Sequence, residues 1–180
     1  MHDDIKKILL SKEQIDERVK EMGKQIAEDY RDKDLVVVVL LSGAAWFAAD
    51  LTRAIDIPLR VDFMVASSYG NGTSTSGSVK VKLDIRENIA GKDVLLVDDI
   101  IDSGVTFAAI SDMLRQNKPA SLKTVALCDK AERRINGLEA DYVGFKIPDE
   151  FVVGFGLDYA GDYRNLPYIG VLKPSVYARK

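Results

Sequence analysis

The sequence predicts an α/β protein in which a mostly parallel central sheet is flanked by helices. The runs LVVVVLL (35–41), KDVLLVDD (92–99) and LKTVALC (122–128) are apolar through their centres, which is typical of strands covered on both faces. Segments with apolar residues at helical spacing separate these runs. Because strands that alternate with helices pair in parallel through right-handed crossovers, this order of elements favours one parallel sheet.

The first helix is predicted to begin at Ser11, since Ser11-Lys12-Glu13-Gln14 fits a capping box. Its apolar face is expected to consist of Ile15, Val19, Met22, Ile26 and Tyr30. A second helix follows the segment SGAA and carries Trp46, Phe47, Leu51 and Ile55. VDFMVASSY (61–69) and SVKVKL (78–83) indicate two strands, and the polar, glycine-rich GNGTSTSG between them predicts a mobile loop.

The second half of the chain continues the alternation. A helix with Phe107, Ile110, Met113 and Leu114 is predicted after the strand at 92–99, and ADYVGFKI (140–147) indicates a further strand. From Pro148 onward the chain is rich in glycine and aromatic residues. We expect this part, and the terminus that carries His2, to lack regular structure, with the C-terminal part forming a small cap over the sheet.

Composition excludes several classes of protein. The 180 residues are enough for one domain with a core, and a net charge of −3 with a pI of about 5.3 argues against a nucleic-acid-binding surface. A span of roughly 20 apolar residues and a signal-peptide layout are both missing, so we predict a cytoplasmic protein without a membrane partner. A single cysteine, Cys128, excludes an internal disulfide, and His2 is the only histidine.

The stretch DVLLVDDIIDSGVTF (93–107) predicts a ligand site. Asp98 and Asp99 lie at the carboxyl end of a predicted strand, where open α/β sheets bind ligands. Residues 102–106 form the turn into the next helix, where free backbone N–H groups and the helix dipole favour an anion. This turn also supplies small and hydroxyl-bearing residues: Ser103, Gly104 and Thr106. The pattern predicts a phosphate cradle.

Carboxylates beside a phosphate would repel it by about 1–4 kcal/mol for each close pair, so something must lie between them. Sugar hydroxyls can donate hydrogen bonds to carboxylates, and Mg²⁺ can bridge carboxylates and phosphates. A ribose 5-phosphate meets these demands, with its phosphate in the turn and its diol on Asp98 and Asp99. The alternative is an acid cluster at the end of a strand with Asp102 as a helix N-cap, which explains neither the other acids nor Gly104.

The motif VLLVDDIIDSGVT resembles the phosphoribosyl diphosphate (PRPP) motif of type I phosphoribosyltransferases. VDFMVASSYGNGTSTSG, LCDKAERR, DYVGFKIPDEFVVGFGLDY and YRNLPYIGVL extend the resemblance to hypoxanthine-guanine phosphoribosyltransferases over nearly the whole chain. The resemblance implies a single domain (1–180) with the type I fold, a sheet core at about 35–130, a closing loop at about 66–80 and a purine-holding hood at about 140–180. It also implies a Mg²⁺-dependent, dimeric or tetrameric enzyme that converts PRPP and hypoxanthine or guanine into IMP or GMP and pyrophosphate.

The resemblance further implies roles within the motif. Asp102 would face the purine N7 and take or share its proton, while Asp98 and Asp99 would bind the ribose hydroxyls and Mg²⁺. The family often has Glu at the first of these, so the contact of the shorter Asp98 is expected to run through water. The ribose 5′-phosphate would lie against Ser103, Gly104, Val105 and Thr106.

Other implied roles lie outside the motif. Lys130 would donate to the purine O6, Phe151 and Ile100 would pack on the two faces of the ring, and the Val152 backbone would bind its edge. Asp158 would lie at the purine site and hold Mg²⁺. Pyrophosphate would be bound by Ser42, Gly43, Arg134 and Arg164. The closing loop would include Ser68 and Tyr69, with Gly70, Gly72 and Gly77 providing mobility.

The sequence departs from the family in the loop that would bind pyrophosphate. Leu-Lys-Gly-Ser is common there, whereas this chain has Leu41-Ser42-Gly43-Ala44 and lacks the positive charge and a hydroxyl. Backbone N–H groups would then do the binding, and the sequence leaves open whether the Leu41–Ser42 peptide is cis. Simpler alternatives exist for three implied residues: a solvated charge for Lys130, a surface salt bridge for Arg134 and a core aromatic for Phe151.

Two other functions fit part of the pattern. A regulator that senses PRPP and binds nucleic acid would need a basic face and would have lost the purine-holding hood. A phospho-acceptor receiver domain also has an acid pair, but that pair follows its first strand, whereas here the acids are central and followed by Ser-Gly-Val-Thr. The acidic pI, Lys130 and Phe151 favour the enzyme.

Overall fold

The computed structural model describes residues 2–68 and 79–178. In chain order the elements are β1 (Ile5–Leu10), α1 (Lys12–Asp29), β2 (Leu35–Leu41), α2 (Ala45–Ala54), β3 (Leu59–Ser68), β4 (Val79–Leu83), β5 (Asp93–Ile101), α3 (Val105–Gln116), β6 (Ser121–Asp129), a short 3₁₀ turn (Ala131–Arg133), β7 (Tyr142–Lys146), β8 (Val152–Val153), β9 (Ile169–Leu172) and α4 (Pro174–Tyr177). None of the helices in these ranges is long and apolar enough to cross a membrane.

The predicted parallel sheet is confirmed. Six strands lie in the order β4-β3-β2-β5-β6-β7, and all neighbours are parallel except the edge pair β3–β4. Alternate side chains of β2 point to opposite faces: Val37 and Val39 pack with α1 and α2, and Val36 and Val38 pack with α3. Both faces of the sheet are therefore covered by helices.

The start of α1 is as predicted. Ser11 Oγ accepts from the Gln14 N–H, and Gln14 Oε1 accepts from the Ser11 N–H at 2.9 Å, so the capping box is complete. The five residues predicted for its apolar face, Ile15, Val19, Met22, Ile26 and Tyr30, are all buried.

Two details of the central motif differ from the prediction. β5 continues to Ile101 because it stays paired with β6 to that residue, although its pairing with β2 ends at Val97. Asp98 and Asp99 thus lie where β5 has lost one neighbour rather than at its end. The N-cap of α3 is Gly104, with φ +83°, so the alternative that made Asp102 the N-cap is wrong.

The hood is more regular than predicted. β1, from the N-terminal segment, pairs with β9, and β9 pairs with β8, forming a small antiparallel sheet. The expectation of irregular structure was therefore wrong for β1, β8 and β9, whereas residues 154–168, between β8 and β9, contain only turns, bends and isolated bridges. The predicted glycine-rich loop at 70–77 and Tyr69 lie outside the described residues.

Candidate active site

Two adjoining pockets lie beyond the β5 and β6 strands and share Ile100 and Asp102. The first, the cradle, has a volume of about 240 Å³ and is also lined by Asp98, Ile101, Ser103, Gly104, Thr106 and Phe107. The second, the cleft, has a volume of about 250 Å³ and is also lined by Asp99, Lys130, Phe151, Val152, Leu157 and Asp158. Most of the predicted site residues are therefore brought together around Asp102.

A larger cavity, of about 350 Å³, lies on the other side of Arg134, against Leu138, Glu139 and Lys146. Arg134 is the one predicted site residue in its lining. Volume alone therefore does not identify the site, and the chemistry of the side chains favours the cradle and the cleft.

The cradle is built by the turn from β5 into α3. The positive φ of Gly104 favours glycine, and no Cβ would fit there because it would lie 2.6 Å from Asn136 Oδ1. Since Gly104 has no side chain to cap the helix, the N–H groups of the first turn of α3, apart from that of Val105, which donates to Ser103 Oγ, remain available to an anion. Ser103 Oγ lies 3.4 Å from the Val105 N–H and adds a hydroxyl at the same place.

Asp98 and Asp99 form a pair of adjacent carboxylates between the cradle and the cleft. Burial raises the pKa of Asp98 well above its usual value, and the charge of Asp99 adds to this shift. Burial also raises the pKa of Asp99. Each carboxylate accepts one backbone hydrogen bond, Asp98 from the Asp99 N–H at 2.9 Å and Asp99 from the Ile100 N–H at 2.8 Å. A hard cation or sugar hydroxyls would relieve this crowding of charge.

The loop after β2 lies against this acid pair. The Leu41–Ser42 peptide is cis. A Cβ added to Gly43 would lie 1.7 Å from Asp99 Oδ2, and one added to Gly156 would lie 2.0 Å from the Gly43 carbonyl oxygen. The loop can therefore approach Asp99 only because glycine occupies position 43.

Arg164 and Asp158 close the other side of the cleft. Arg164 Nη2 lies 2.8 Å from Asp158 Oδ1, and Arg164 Nη1 donates to the Gly156 carbonyl at 2.5 Å. Asp158 Oδ2 also accepts from the Gly161 N–H at 2.8 Å. Within residues 2–68 and 79–178, no three acidic, His or Cys side chains are close enough to share a metal ion. Asp158 is thus not gathered with the acid pair into one three-carboxylate group.

Lys130 and Phe151 form two walls of the cleft. Lys130 is only 8% exposed, so the alternative of a solvated charge is wrong, and its Nζ lies 3.8 Å from Asp149 Oδ1. Phe151 is 39% exposed and is therefore not a core aromatic. Its ring stacks on Tyr177, with centroids 4.9 Å apart, and meets the Tyr159 ring in a T-shaped contact at 5.6 Å, so an aromatic cluster holds it at the edge of the cleft.

The Asp102 side chain is about half exposed at the junction of the two pockets. Its Oδ1 lies 2.6 Å from Arg133 Nε, and Arg133 Nη1 lies 3.4 Å from Asp149 Oδ1. Sequence reasoning missed both Arg133 and Asp149. The only local signal was the run of charges in KAERR, which does not indicate a partner.

Arg134 differs from its predicted role. Its side chain is 9% exposed, its Nη2 pairs with the buried Asp129, and its Nη1 donates to the Asp102 carbonyl at 2.6 Å. Because the guanidinium is already held by protein groups, the geometry favours a positioning role over contact with pyrophosphate. The alternative of a surface salt bridge is also wrong, since the pair is buried. Asn136, whose Nδ2 donates to the Gly104 carbonyl at 3.0 Å, was missed altogether.

Comparison with known proteins extends this picture. A family model described as the phosphoribosyl transferase domain matches residues 7–160. The chain is 49% identical over 177 residues to the hypoxanthine-guanine phosphoribosyltransferase of Bacillus subtilis (strain 168), with 98% of each chain covered. It is also 49% identical over 178 residues to the bifunctional protein TilS/HprT of Listeria innocua, covering 99% of this chain but only 28% of the length of that relative.

Solved structures give the same result. A crystal structure of a hypoxanthine phosphoribosyltransferase from Staphylococcus aureus superimposes with a TM-score of 0.95 at 50% identity, covering 98% of this chain and 96% of that chain. The similarity thus includes both the central sheet and the hood.

Proposed function

Because the chain belongs to the phosphoribosyl transferase domain family, we propose that it is a purine-salvage enzyme acting on 6-oxopurines. It transfers the 5-phosphoribosyl group of PRPP to hypoxanthine or guanine and releases IMP or GMP and pyrophosphate. The observation that carries this proposal is the position of Asp102, which lines both the cradle and the cleft. A ribose 5-phosphate in the first and a planar base in the second would meet beside this carboxylate.

The reaction needs orientation and charge stabilisation more than a covalent nucleophile, since positive charge develops on the ribose as pyrophosphate leaves. Asp102 accepts or shares the N7 proton of the purine as the base attacks. Asp98 and Asp99 accept hydrogen bonds from the ribose hydroxyls. The first turn of α3, with Ser103, Gly104, Val105 and Thr106, holds the 5′-phosphate.

The cleft selects the base. Lys130 Nζ donates to O6, which favours 6-oxopurines over adenine. Phe151 and Ile100 pack on the two faces of the ring, and the Val152 backbone binds its edge. The burial of Lys130 supports this assignment, because its ion pair with Asp149, at 3.8 Å, is too long for a hydrogen bond and a purine O6 would provide an acceptor.

Pyrophosphate lies between the β2 loop and Arg164 in this proposal. Backbone N–H groups at Ser42 and Gly43 bind it in place of the missing lysine, and Arg164 adds a positive charge. The acid pair, with Asp158 nearby, suits Mg²⁺ because carboxylate oxygens are ligands that this ion prefers. When bound, the ion would neutralise charge on the diphosphate and take its other ligands from substrate and water.

Further features belong to the same proposal. The closing loop at about 66–80, including Ser68 and Tyr69, would exclude water during transfer. The enzyme would be a cytoplasmic homodimer or homotetramer built around residues 41–50. The exposure of Trp46 in α2 supports an interface there.

The test is a spectrophotometric assay with PRPP, Mg²⁺ and each of four bases: hypoxanthine, guanine, xanthine and adenine. We expect turnover of hypoxanthine and guanine, none of adenine, and severe loss in Asp102→Asn. Asp112→Asn, at an exposed position of α3, is the matched control and should keep full activity. Equal use of adenine would remove the role of Lys130, and failure with every base would refute the proposed function.

A further inference from the structure

The segment after the 3₁₀ turn runs along the back of the phosphate cradle. Three consecutive residues of this segment donate hydrogen bonds to three consecutive carbonyl groups of the cradle turn: Arg134 Nη1 to Asp102 (2.6 Å), the Ile135 N–H to Ser103 (3.2 Å) and Asn136 Nδ2 to Gly104 (3.0 Å). We call Arg134, Ile135 and Asn136 the backing segment.

The backing segment is itself anchored at both ends. Arg134 pairs with Asp129, which is buried at the end of β6. Asn136 Oδ1 accepts from the Leu138 N–H at 3.2 Å, which fixes the side chain in a local turn. The segment also packs closely on Gly104, because a Cβ there would lie 2.9 Å from Arg134 Cδ. It is thus positioned independently of any ligand.

The hydrogen bonds from the backing segment fix the orientation of the peptide groups in the cradle turn, and this orientation matters for an anion. A carbonyl oxygen carries the negative end of the peptide dipole and would repel a phosphate, whereas an N–H attracts it. By accepting from the backing segment, the carbonyls of residues 102–104 are turned away from the cradle. The N–H groups of the same turn are then left to face an anion without reorganisation when it binds.

We propose that Asn136 is a positioning residue for the 5′-phosphate, acting with Arg134 through the cradle backbone rather than by touching the substrate. This inference rests on the proposed function, since it assumes that a ribose 5-phosphate occupies the cradle. It assigns a specific task to Asn136: its amide donor shares the Gly104 carbonyl with the Ala108 N–H, each at 3.0 Å, and so ties the N-cap of α3 to the backing segment.

The test compares ligands with and without the phosphate. Isothermal titration calorimetry measures the Kd of GMP, and steady-state assays measure KM for PRPP and for hypoxanthine. In Asn136→Ala we expect the Kd of GMP and the KM for PRPP to rise about three- to tenfold, the range for loss of one hydrogen bond. The KM for hypoxanthine should change less than twofold, because the hydrogen bonds of the Asn136 side chain go to Gly104 and Leu138, which do not line the cleft.

A second variant guards against a general loss of structure. Asn136→Ser keeps an oxygen that can accept from the Leu138 N–H, but its shorter side chain cannot span the distance to the Gly104 carbonyl. It should fold with a thermal midpoint close to that of the wild type and still lose affinity for GMP. Asn117→Ala, an exposed change at the opposite end of α3, is the matched control and should bind GMP normally.

The outcomes separate the two proposals. Wild-type protein that neither binds GMP nor turns over any purine would refute the proposed function. Wild-type protein that binds GMP, with a folded Asn136→Ser variant that binds it within twofold, would overturn the role of Asn136 alone. Equal losses for PRPP and hypoxanthine would also overturn it, because a general disturbance of the site would then explain the defect.

Discussion

Asp102 Oδ1 lies 2.6 Å from Arg133 Nε, so the carboxylate proposed to take the purine proton is paired with a cation. Arg133 also approaches Asp149, which in turn lies 3.8 Å from Lys130. Two acidic and two basic side chains thus alternate in a row of ion pairs whose two end members, Asp102 and Lys130, line the cleft. A purine whose N7 faces Asp102 and whose O6 faces Lys130 would have to replace the contact of Asp102 with Arg133 and the contact of Lys130 with Asp149.

The first prediction concerns Arg133→Gln. Both partners of the Asp102 pair are about half exposed, and such pairs are worth about 0.2–1 kcal/mol. Removing the guanidinium frees Asp102 for the base, so the KM for hypoxanthine should fall by up to about fivefold, the equivalent of that energy. Steady-state kinetics at saturating PRPP measures this. A rise in KM would show that Arg133 binds the base rather than competing with it.

The second prediction concerns Lys130→Gln. A hydrogen bond from a charged donor contributes about 1.5–3 kcal/mol, so the KM for hypoxanthine and guanine should rise roughly 10- to 150-fold. The KM for PRPP should change little, because Lys130 lines the cleft and not the cradle. The control is Lys146→Gln, an exposed change on the neighbouring strand β7. Unchanged KM values in Lys130→Gln would exclude its contact with O6.

The sequence predicted those parts of the fold and site that depend on local patterns. The buried runs of β2 and β5 and the capping box at Ser11 carry their signal within a few residues. The grouping of Asp98 with residues 102–106 follows from their adjacency in the chain. Lys130 and Phe151 could be placed beside Asp102 only by resemblance, because nothing local links them.

Features that depend on distant pairing were missed for the same reason. β8 has only two residues and exists because it pairs with β9, which pairs in turn with β1 from the other end of the chain. Asn136 is a single polar residue in a loop, and the carbonyl to which it donates belongs to Gly104, 32 positions earlier in the chain. The spacing of apolar residues along the sequence reveals neither β8 nor the contact of Asn136, since both depend on tertiary packing.

The third prediction concerns the close approach of the β2 loop to the acid pair. A Cβ in Gly43→Ala would lie 1.7 Å from Asp99 Oδ2, so the carboxylate or the loop must move. Such overpacking costs about 1–3 kcal/mol. We expect a lower free energy of unfolding in urea and a higher KM for PRPP.

A double-mutant cycle with Asp99→Ala tests whether the contact with the Asp99 carboxylate causes the loss of stability. Removing the carboxylate removes the atoms that the new Cβ would meet, so Gly43→Ala should cost much less stability in that background. If the loss of unfolding free energy is the same in both backgrounds, the contact with Asp99 is not responsible.

The fourth prediction concerns stability and pH at Asp62, a buried residue of β3 away from the active site. Burial alone would raise the pKa of Asp62, but hydrogen bonds from the Glu87, Phe63 and Arg86 N–H groups outweigh it, so the pKa is lowered. The folded state then binds fewer protons than the unfolded state, whose Asp pKa is about 3.9. The stabilisation is therefore present above about pH 4 and is lost as pH falls through the lowered pKa.

Asp62→Asn should accordingly lower the free energy of unfolding at pH 7 by about 1–3 kcal/mol, because a neutral amide accepts these hydrogen bonds less strongly than a carboxylate. The difference from the wild type should shrink below about pH 4, where the wild-type carboxyl also becomes neutral. Urea unfolding at neutral and acidic pH measures both effects. Asp56→Asn, at an exposed position between α2 and β3, should reproduce neither. A deficit that stays constant as the pH falls would mean that the charge of Asp62 contributes nothing, and that only the shape of the side chain matters there.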